Sequence, residues 1–144
     1  VLLHPSLEVL GHHSEHLDGG SVVLTKEGRE KKIVRCAMAV RFQAADKSQG
    51  LAVIATHLDH ISSVERQKQV ADICRLRQDF CDGFPHLLLG DLNALRRSDY
   101  TSEEWQRIAS RHQALGFQAP ESCPTLSLLR EAGYGDMLEV SLLG

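Results

Sequence analysis

The sequence predicts an α/β layered fold, because two apolar strands alternate with two amphipathic helices between residues 51 and 115. The first strand, residues 51–56, reads Leu-Ala-Val-Ile-Ala-Thr, and the second, residues 86–89, reads His-Leu-Leu-Leu. Both runs are continuously apolar, which is typical of central strands covered on both faces. Each of these strands ends in a cluster of polar residues.

Length and composition are those of an ordinary globular domain. The chain has 144 residues, of which 42% are hydrophobic and 24% are charged, and this is too apolar for a disordered protein. No apolar run reaches the roughly 18 residues that a membrane span needs, so no transmembrane segment is expected. The net charge of −3 disfavours a protein that coats nucleic acid non-specifically, although a local basic cleft is compatible with it.

The remaining strands are predicted from short apolar runs. Residues 1–20 are rich in Gly and His and are expected to be irregular, whereas residues 22–25 and 33–42 are expected to form strands. Residues 136–142 are predicted to form a last strand. No repeat or linker divides the chain, so we expect one unit over residues 1–144.

Helix starts are predicted from capping signals. Ser62 and Glu65 have capping-box spacing, in which the hydroxyl and the carboxylate each accept one exposed backbone N–H. Thr101 and Glu104 repeat that spacing before a second helix. Pro suits a first helical turn, so a short third helix is predicted over residues 124–131.

The four cysteines form no Cys-x-x-Cys pair and are expected to be reduced and structural, which favours an intracellular location, cytoplasmic or nuclear. They are Cys36, Cys74, Cys81 and Cys123. Three histidines, His12, His13 and His16, lie close together in the sequence. No carboxylate or cysteine completes a metal-ligand set with them, so we expect a solvated loop there.

The chemistry is predicted at the two polar strand ends, residues 56–60 and 90–94. Asp91 and Asn93 are two apart on an extended chain and therefore point to the same side. A carboxylate binds a divalent cation or deprotonates water, an amide donates to a phosphate oxygen, and His57 can stabilise charge on phosphate. Either cluster taken alone also fits a simple turn, but together they indicate metal-assisted phosphoryl chemistry.

These residues resemble the endonuclease/exonuclease/phosphatase superfamily, which has the DNase-I-like fold. The resemblance lies in Ala-Thr-His-Leu at residues 55–58, in Arg66 and Gln69 on the following helix, and in Leu-Leu-Gly-Asp-Leu-Asn-Ala at residues 88–94. Residues 35–37, Arg-Cys-Ala, also resemble the Arg-x-Ala strand of that family. The Gly-Asp-x-Asn segment is the most specific of these matches.

The resemblance covers about residues 20–140 and implies part of a four-layer α/β sandwich that hydrolyses a phosphoester with Mg²⁺ or Mn²⁺. It implies that Asp91 activates the attacking water and that Asn93 binds the phosphate or that water, both contributing to the metal site. It implies that His57 stabilises the pentavalent transition state. The substrate class is left open, with a nuclease or another phosphodiesterase among the alternatives, and so is the oligomeric state.

Four polar residues near these motifs have simpler expected roles. Arg66 and Gln69 are expected to brace their helix against the sheet rather than to take part in catalysis. Asp59 and His60 have no firm counterpart in the family pattern, and a solvated loop is expected for both.

Two parts of the family pattern have no counterpart in this sequence. The family has a metal-binding Glu in its first third, but Glu8 and Glu15 do not end a recognisable buried strand. The family also ends in an Asp-His pair, whereas Asp136 is followed by Met137. The main alternative is therefore a catalytically inactive fragment or isoform that acts as a binding module.

Another alternative is an unrelated α/β protein, in which His57, Asp91 and Asn93 would lie far apart. The family fold needs roughly 250 residues, within the range over which single cores persist. We therefore expect part of such a domain, with unpaired strand edges and marginal stability.

Overall fold

The computed structural model describes residues 4–44, 50–117, 120, 124–137 and 139. By backbone contacts the chain divides into two compact units, Val1–Asn93 and Ala94–Gly144. One domain over residues 1–144 stays a prediction. The elements within the described residues are, in chain order, β1 (Leu7–Leu17), β2 (Val22–Leu24), β3 (Glu30–Lys32), β4 (Arg35–Ala44), β5 (Gly50–His57), α1 (Ser63–Phe80), β6 (His86–Asp91), a 3₁₀ turn (Arg97–Asp99), α2 (Ser102–Ala114) and α3 (Pro124–Glu131).

The first unit is built on a four-stranded sheet with the strand order β1-β4-β5-β6. The pairs β1–β4 and β4–β5 are antiparallel, whereas β5 and β6 are parallel and are joined through α1. A parallel pair needs such a crossover connection, and a helix usually supplies it. The predicted α/β alternation of strand, helix and strand is therefore confirmed.

Helix α1 covers one face of this sheet. The ring of Phe80 on α1 lies 6.1 Å from the ring of His13 on β1, and the guanidinium carbon of Arg41 on β4 lies 4.5 Å from the Phe80 centroid. Ala37 and Ala39, which share the face of Arg41 on β4, are fully buried, and such small side chains let a helix pack closely on a sheet. The buried apolar residues of this unit are Leu17, Ala37, Ala39, Val40, Ala52, Val53, Ile54, Leu58, Val70, Ile73, Leu76 and Cys81.

The prediction that residues 1–20 are irregular is wrong, because Leu7–Leu17 forms the edge strand β1. Most side chains of β1 are exposed, so the segment lacks the apolar alternation that marks a half-buried strand. Its strand conformation comes instead from backbone pairing with β4, from Leu7 opposite Ala44 to Leu17 opposite Arg35. Such pairing is independent of side-chain polarity and cannot be read from composition.

The next strands differ from the prediction in their bounds. Val22–Leu24 is a strand as expected, but its partner is the short strand Glu30–Lys32, antiparallel to it. The long strand then begins at Arg35 rather than at residue 33. A tight turn between β2 and β3 places Gly28 at a φ of 73°, a conformation that glycine adopts without steric cost.

The first predicted capping box is only half formed. Ser62 is the N-cap of α1, and its side chain accepts the Glu65 N–H. The Glu65 carboxylate instead accepts the N–H of Gly20 at 2.7 Å. The N–H of Ser62 donates to Asp59 Oδ1 at 2.9 Å, so a carboxylate that precedes the helix has taken the second role in the box.

The second unit contains α2 and α3. The capping box of Thr101 and Glu104 is complete in both directions, and α3 spans Pro124–Glu131, so both predictions are confirmed. The predicted strand over residues 136–142 is wrong for its described part, because Met137 is helical. Glu139 is helical too, and the other residues beyond Met137 lie outside the described part.

Arg96 joins the beginning and the end of the described second unit. Its guanidinium contacts the carboxylate of Asp136 and binds Glu139 Oε1 at 2.6 Å. Arg130 on α3 also binds Glu139 Oε1, at 2.7 Å. Asp136 is thus paired with an arginine, where the family pattern has an Asp next to a His.

The cysteines differ in their surroundings. Cys36 is exposed on β4, which corrects the expectation of a structural thiol in an apolar strand. Burial raises the pKa of the Cys74 and Cys81 thiols on and after α1. Cys123 lies outside the described residues. None of the described helices is both long and apolar enough to cross a membrane.

Candidate functional site

The parallel pairing of β5 and β6 places the two predicted polar clusters side by side. Thr56 is paired with Gly90 and His57 with Asp91. As a result, His57 Nε2 lies 3.8 Å from Asp91 Oδ2, and their side chains are 56% and 64% exposed. Both groups are therefore open to a ligand from solvent while they contact each other. Carboxyl ends of adjacent parallel strands are a usual place for a ligand site in α/β folds.

Gly90 makes this close pairing possible. Its φ is +133°, and a Cβ atom built there would lie 1.8 Å from the carbonyl oxygen of Thr56. Any side chain at this position would separate the ends of the two strands. The glycine therefore sets the distance between His57 and Asp91 through the backbone rather than by contacting a ligand itself.

Asn93 is held by two hydrogen bonds in a conformation that few residues adopt. Its φ is +48°, in the left-handed region that asparagine tolerates better than most residues. The Asn93 N–H donates to Asp91 Oδ1 at 2.8 Å, and its side-chain amide Nδ2 donates to the carbonyl oxygen of Leu58 at 2.9 Å. Since that carbonyl only accepts, the amide nitrogen must face it, and Asn93 Oδ1 is turned away.

The segments after the two strands are tied together at this point. The N–H of Leu58 donates to the carbonyl oxygen of Asp91 at 2.9 Å, and the Asn93 amide returns a bond to the Leu58 carbonyl. The structure thus brings all three predicted site residues, His57, Asp91 and Asn93, to one edge of the sheet. An unrelated α/β protein was expected to have these three residues far apart, and the structure does not have that arrangement.

Asp59 is not solvated, which corrects the expectation for that residue. Its side chain is fully buried, and it accepts the N–H and the hydroxyl of Ser21 at 2.8 and 2.9 Å. It also accepts the N–H groups of Ile61 and Ser62, at 2.8 and 2.9 Å. Burial by itself would raise the pKa of Asp59, but these hydrogen bonds outweigh it and hold the pKa below its usual value.

A local sequence signal could have identified this role. An aspartate three residues before a helix N-cap can form an Asx-type turn by accepting the N–H groups of the residues two and three positions after it. Asp59, Ile61 and Ser62 have that spacing. The bonds from Ser21 could not have been anticipated, because they join residues 38 positions apart in the chain.

Arg66 and Gln69 both hold the segment that follows β5. Arg66 Nη1 donates to the carbonyl oxygen of Asp59 at 2.9 Å. Gln69, which is fully buried, accepts the Asp59 N–H through Oε1 at 2.8 Å. Both bonds connect α1 to the end of the strand, as the bracing role predicts. His60 is exposed, as expected, and its Nδ1 lies 2.9 Å from Arg35 Nη2.

Two residues that the sequence placed elsewhere, His16 in a solvated loop and Cys36 among the structural thiols, extend the site across the sheet. His16 on β1 is paired with Cys36 on β4, and the pairing of Ala37 with Thr56 puts Cys36 next to His57 in the continuing register. His16, Cys36, His57 and Asp91 therefore form a cross-strand row, one residue from each strand, on one face of the sheet. All four are exposed.

The opposite face carries His13 and Glu15 of β1. Glu15 is paired with Ala37 and His13 with Ala39, and both of these alanines are fully buried. Alternation along the strand therefore places Glu15 and His13 on the face that α1 covers. Glu8 lies at the far end of β1 and accepts a bond from Gln43 at 2.8 Å. Neither glutamate takes the place of the family's metal-binding Glu beside Asp91.

Among the described residues, no group of three or more His, Cys, Asp or Glu side chains converges on a single point where a metal ion could bind. The oxygen donors at the site are the Asp91 carboxylate and Asn93 Oδ1.

No protein-family model and no curated protein sequence matches the chain. Solved structures with a similar fold do exist. An endonuclease/exonuclease/phosphatase from Bacteroides vulgatus aligns with a TM-score of 0.51 and 21% identity, over 65% of this chain and 36% of that one. The chain has part of the DNase-I-like fold. The fold class predicted from the sequence is thereby confirmed. What this chain shares with the Bacteroides vulgatus protein is its fold.

Two further structures align less closely. An endonuclease/exonuclease/phosphatase family protein from Bacteroides thetaiotaomicron has a TM-score of 0.47, 16% identity and coverage of 61% of this chain and 32% of that one. A mannosyl-6-phosphatase from the same organism has a TM-score of 0.46, 15% identity and coverage of 63% and 34%. This chain spans about a third of the length of the structures that it matches.

Proposed function

We propose that this chain carries part of the active site of a metal-dependent phosphoester hydrolase, with His57, Asp91 and Asn93 as its catalytic residues. The observation that carries the proposal is the 3.8 Å approach of His57 Nε2 to Asp91 Oδ2 at the ends of parallel strands. Asn93, anchored on Leu58, completes the set. The DNase-I-like fold supports the reaction class, and the substrate within that class stays open.

The residues present fit a hard divalent cation that keeps most of its water. Mg²⁺ is commonly held by one or two carboxylates, with water and substrate phosphate oxygens in its other positions. Asp91 and Asn93 would hold Mg²⁺ or Mn²⁺ through their side-chain oxygens. A bound ion would neutralise phosphate charge and make a bound water more acidic.

Each protein group has a chemically distinct task. The Asp91 carboxylate orients the attacking water and accepts its proton. Asn93, whose side chain is fixed by its bond to Leu58, presents Oδ1 to that water from a rigid position. His57 donates a hydrogen bond to the phosphoryl oxygen on which charge develops in the transition state. The separation of His57 and Asp91 is set by the β5–β6 register, and Asn93, just beyond the end of β6, is held by its bond to Leu58.

The test separates binding from turnover. Mn²⁺ is titrated into the chain while backbone NMR signals are recorded, and we expect paramagnetic broadening centred on residues 57 and 91–93. Hydrolysis of bis(p-nitrophenyl) phosphate and of p-nitrophenyl phosphate is then measured with Mg²⁺ or Mn²⁺. Asp91→Asn is expected to lower any turnover by about 10²-fold or more, whereas Asp79→Asn, an exposed carboxylate on α1, leaves it unchanged.

The result also decides between the hydrolase and the binding module. Broadening at residues 91–93 without turnover of either substrate would favour the inactive binding module. The proposal would be overturned if neither broadening nor turnover is observed, or if the parent chain and Asp91→Asn have equal turnover.

A further inference from the structure

The peptide between Leu58 and Asp59 is hydrogen-bonded on both sides. Its N–H, which belongs to Asp59, donates to Gln69 Oε1 at 2.8 Å. Its carbonyl oxygen, which belongs to Leu58, accepts the side-chain amide of Asn93 at 2.9 Å. The N–H and the C=O of one peptide lie in a single plane and do not rotate independently. The bond to Gln69 therefore also sets the direction in which the carbonyl faces Asn93.

Gln69 holds this peptide from the interior of the protein. Its side chain is fully buried on α1, and its oxygen must face Asp59 because a backbone N–H only donates. The donors run in one direction from Asn93 through the peptide to Gln69, and hydrogen bonds in such a chain polarise one another. A buried residue of the helix is thereby connected to a half-buried residue of the candidate site.

Packing alone does not account for an amide at this position. Gln69 Nε2 is buried and has no hydrogen-bond partner in the part of the chain that the structure describes, and a buried donor without a partner lowers stability. A leucine would fill a similar volume without that cost, but it could not accept the Asp59 N–H. The acceptor oxygen is therefore the property that distinguishes glutamine here.

Arg66 contacts the same segment in a different way. Its Nη1 donates to the carbonyl oxygen of Asp59 at 2.9 Å, and that carbonyl belongs to the next peptide, between Asp59 and His60. Arg66 therefore braces the segment without setting the direction of the Leu58 carbonyl. The two residues of α1 can be compared as a brace and as an orienting group.

We propose that Gln69 is a positioning residue of the candidate site, which acts on Asn93 through the Leu58–Asp59 peptide. When the Asp59 N–H loses its acceptor, this peptide plane is free to rotate, and the Leu58 carbonyl no longer holds the Asn93 amide in one orientation. Asn93 Oδ1 then loses its fixed position. Only the effect of this change on turnover rests on the proposed function.

The first test measures the two hydrogen bonds by NMR in the whole chain labelled with ¹⁵N and ¹³C. We expect scalar couplings through the hydrogen bonds, from Asn93 Nδ2 to the Leu58 carbonyl carbon and from the Asp59 nitrogen to Gln69 Cδ. Gln69→Leu is expected to abolish the first coupling. It is also expected to speed solvent exchange of the Asn93 side-chain amide by about fivefold or more, as the loss of one hydrogen bond does.

Three variants serve as matched controls. Gln69→Glu is expected to retain the Asn93 coupling, because a carboxyl oxygen accepts the Asp59 N–H in either protonation state. Arg66→Met removes the brace and is expected to change the exchange rate of the Asn93 amide by less than about twofold. Gln78→Leu, at an exposed glutamine of α1, is expected to have no effect. Far-UV circular dichroism confirms that each variant is folded.

The second test measures the turnover of bis(p-nitrophenyl) phosphate with Mn²⁺. We expect Gln69→Leu to lower kcat by about fivefold or more, since a catalytic group that is no longer held in place reacts less often, and we expect Gln69→Glu to restore most of it. If the parent chain shows neither turnover nor Mn²⁺ broadening, the proposed function fails. The coupling and the exchange rate of the Asn93 amide still decide the role of Gln69 in that case.

The proposal is overturned if the parent chain lacks either coupling, or if Gln69→Leu is folded and keeps the parent's Asn93 coupling and exchange rate. It is also overturned if Arg66→Met disturbs the Asn93 amide as much as Gln69→Leu does, because general bracing of the segment would then suffice. Should Gln69→Leu fail to fold, Gln69→Asn gives the same comparison, since its amide is one methylene too short to reach the Asp59 N–H.

Discussion

The side-chain amide of Asn93 donates a hydrogen bond to the backbone carbonyl of Leu58, 2.9 Å away, and so joins the segments that follow β6 and β5. The same asparagine adopts a φ of +48°. One residue therefore holds the local turn after Asp91 and ties it to the segment that follows β5. The geometry of the candidate site depends on it, and this dependence can be measured.

Asn93→Ala is expected to lower the free energy of unfolding by about 2–3 kcal/mol. It removes a hydrogen bond worth about 1 kcal/mol, and alanine lacks the short polar side chain that lets asparagine adopt the left-handed region, at a cost of about 1–2 kcal/mol. Asn93→Gly loses the same hydrogen bond without the strain and is expected to cost about 1 kcal/mol. Urea denaturation followed by circular dichroism gives both values. Equal losses in the two variants would contradict the role assigned to the backbone conformation.

Gly90→Ala is expected to destabilise the chain by about 3 kcal/mol or more, since the new Cβ would overlap the Thr56 carbonyl oxygen and force β5 and β6 apart. The matched control is Gly28→Ala. Gly28 also has a positive φ, but a Cβ there has nothing within 4 Å, so only the conformational cost of about 1 kcal/mol is expected. The midpoint of urea unfolding distinguishes them, and similar midpoints would show that the close approach at Gly90 is unimportant.

Asp59→Asn is expected to lower the free energy of unfolding by about 2–3 kcal/mol at pH 7. The buried carboxylate accepts four hydrogen bonds, and an amide nitrogen in place of one oxygen would face a donor such as the Ser21 N–H. Chemical denaturation at neutral pH measures this loss. Asp79→Asn on the exposed side of α1 is expected to change it by less than about 0.5 kcal/mol.

The stability provided by Asp59 is also expected to depend on pH. Its folded-state pKa lies below the ordinary value, so its contribution is complete above about pH 4 and is lost as the pH falls through the lower, folded-state pKa. The difference in unfolding free energy between the parent chain and Asp59→Asn should therefore shrink as the pH falls below about 4. A difference that stays constant over that range would argue that the carboxylate is not ionised in the folded state.

Thr101→Ala is expected to destabilise α2 by about 1 kcal/mol, because the Thr101 side chain caps the Glu104 N–H in a complete capping box. Thr101→Ser keeps the hydroxyl and is expected to retain most of that stability. Thermal unfolding followed by circular dichroism at the helical minimum provides the comparison. A serine variant as unstable as the alanine variant would exclude the hydroxyl as the stabilising group.

Local signals in the sequence were sufficient to predict where the helices begin and which two segments form the parallel strand pair. Ser62, Thr101 and Pro124 each marked a helix start correctly, because the first turn of a helix has backbone N–H groups that only a nearby side chain can bind. The continuous apolar runs likewise identified β5 and β6 as strands. The prediction that both are central and covered on both faces is wrong for β6, which lies at an edge of the sheet with half-buried or exposed side chains. From these two strands the positions of His57 and Asp91 followed.

What the sequence alone could not determine depends on contacts between distant residues. Leu7–Leu17 became a strand through backbone pairing with β4, although its Gly- and His-rich composition indicated a loop. Asp59 became buried because Ser21, far away in the chain, donates two hydrogen bonds to it. The Glu65 carboxylate accepts the N–H of Gly20, which is also far away in the chain, instead of the N–H of Ser62.

The sequence by itself determined the α/β class, the helix starts and the identity of the residues at the two strand ends, since each of these follows from interactions within a few residues. The tertiary structure decided which side chains stand beside one another. Only the strand register brings His16 and Cys36 into line with His57 and Asp91, and it places Glu15 on the other face. Register is a property of paired backbones, and a shift of one residue reverses the face of every side chain.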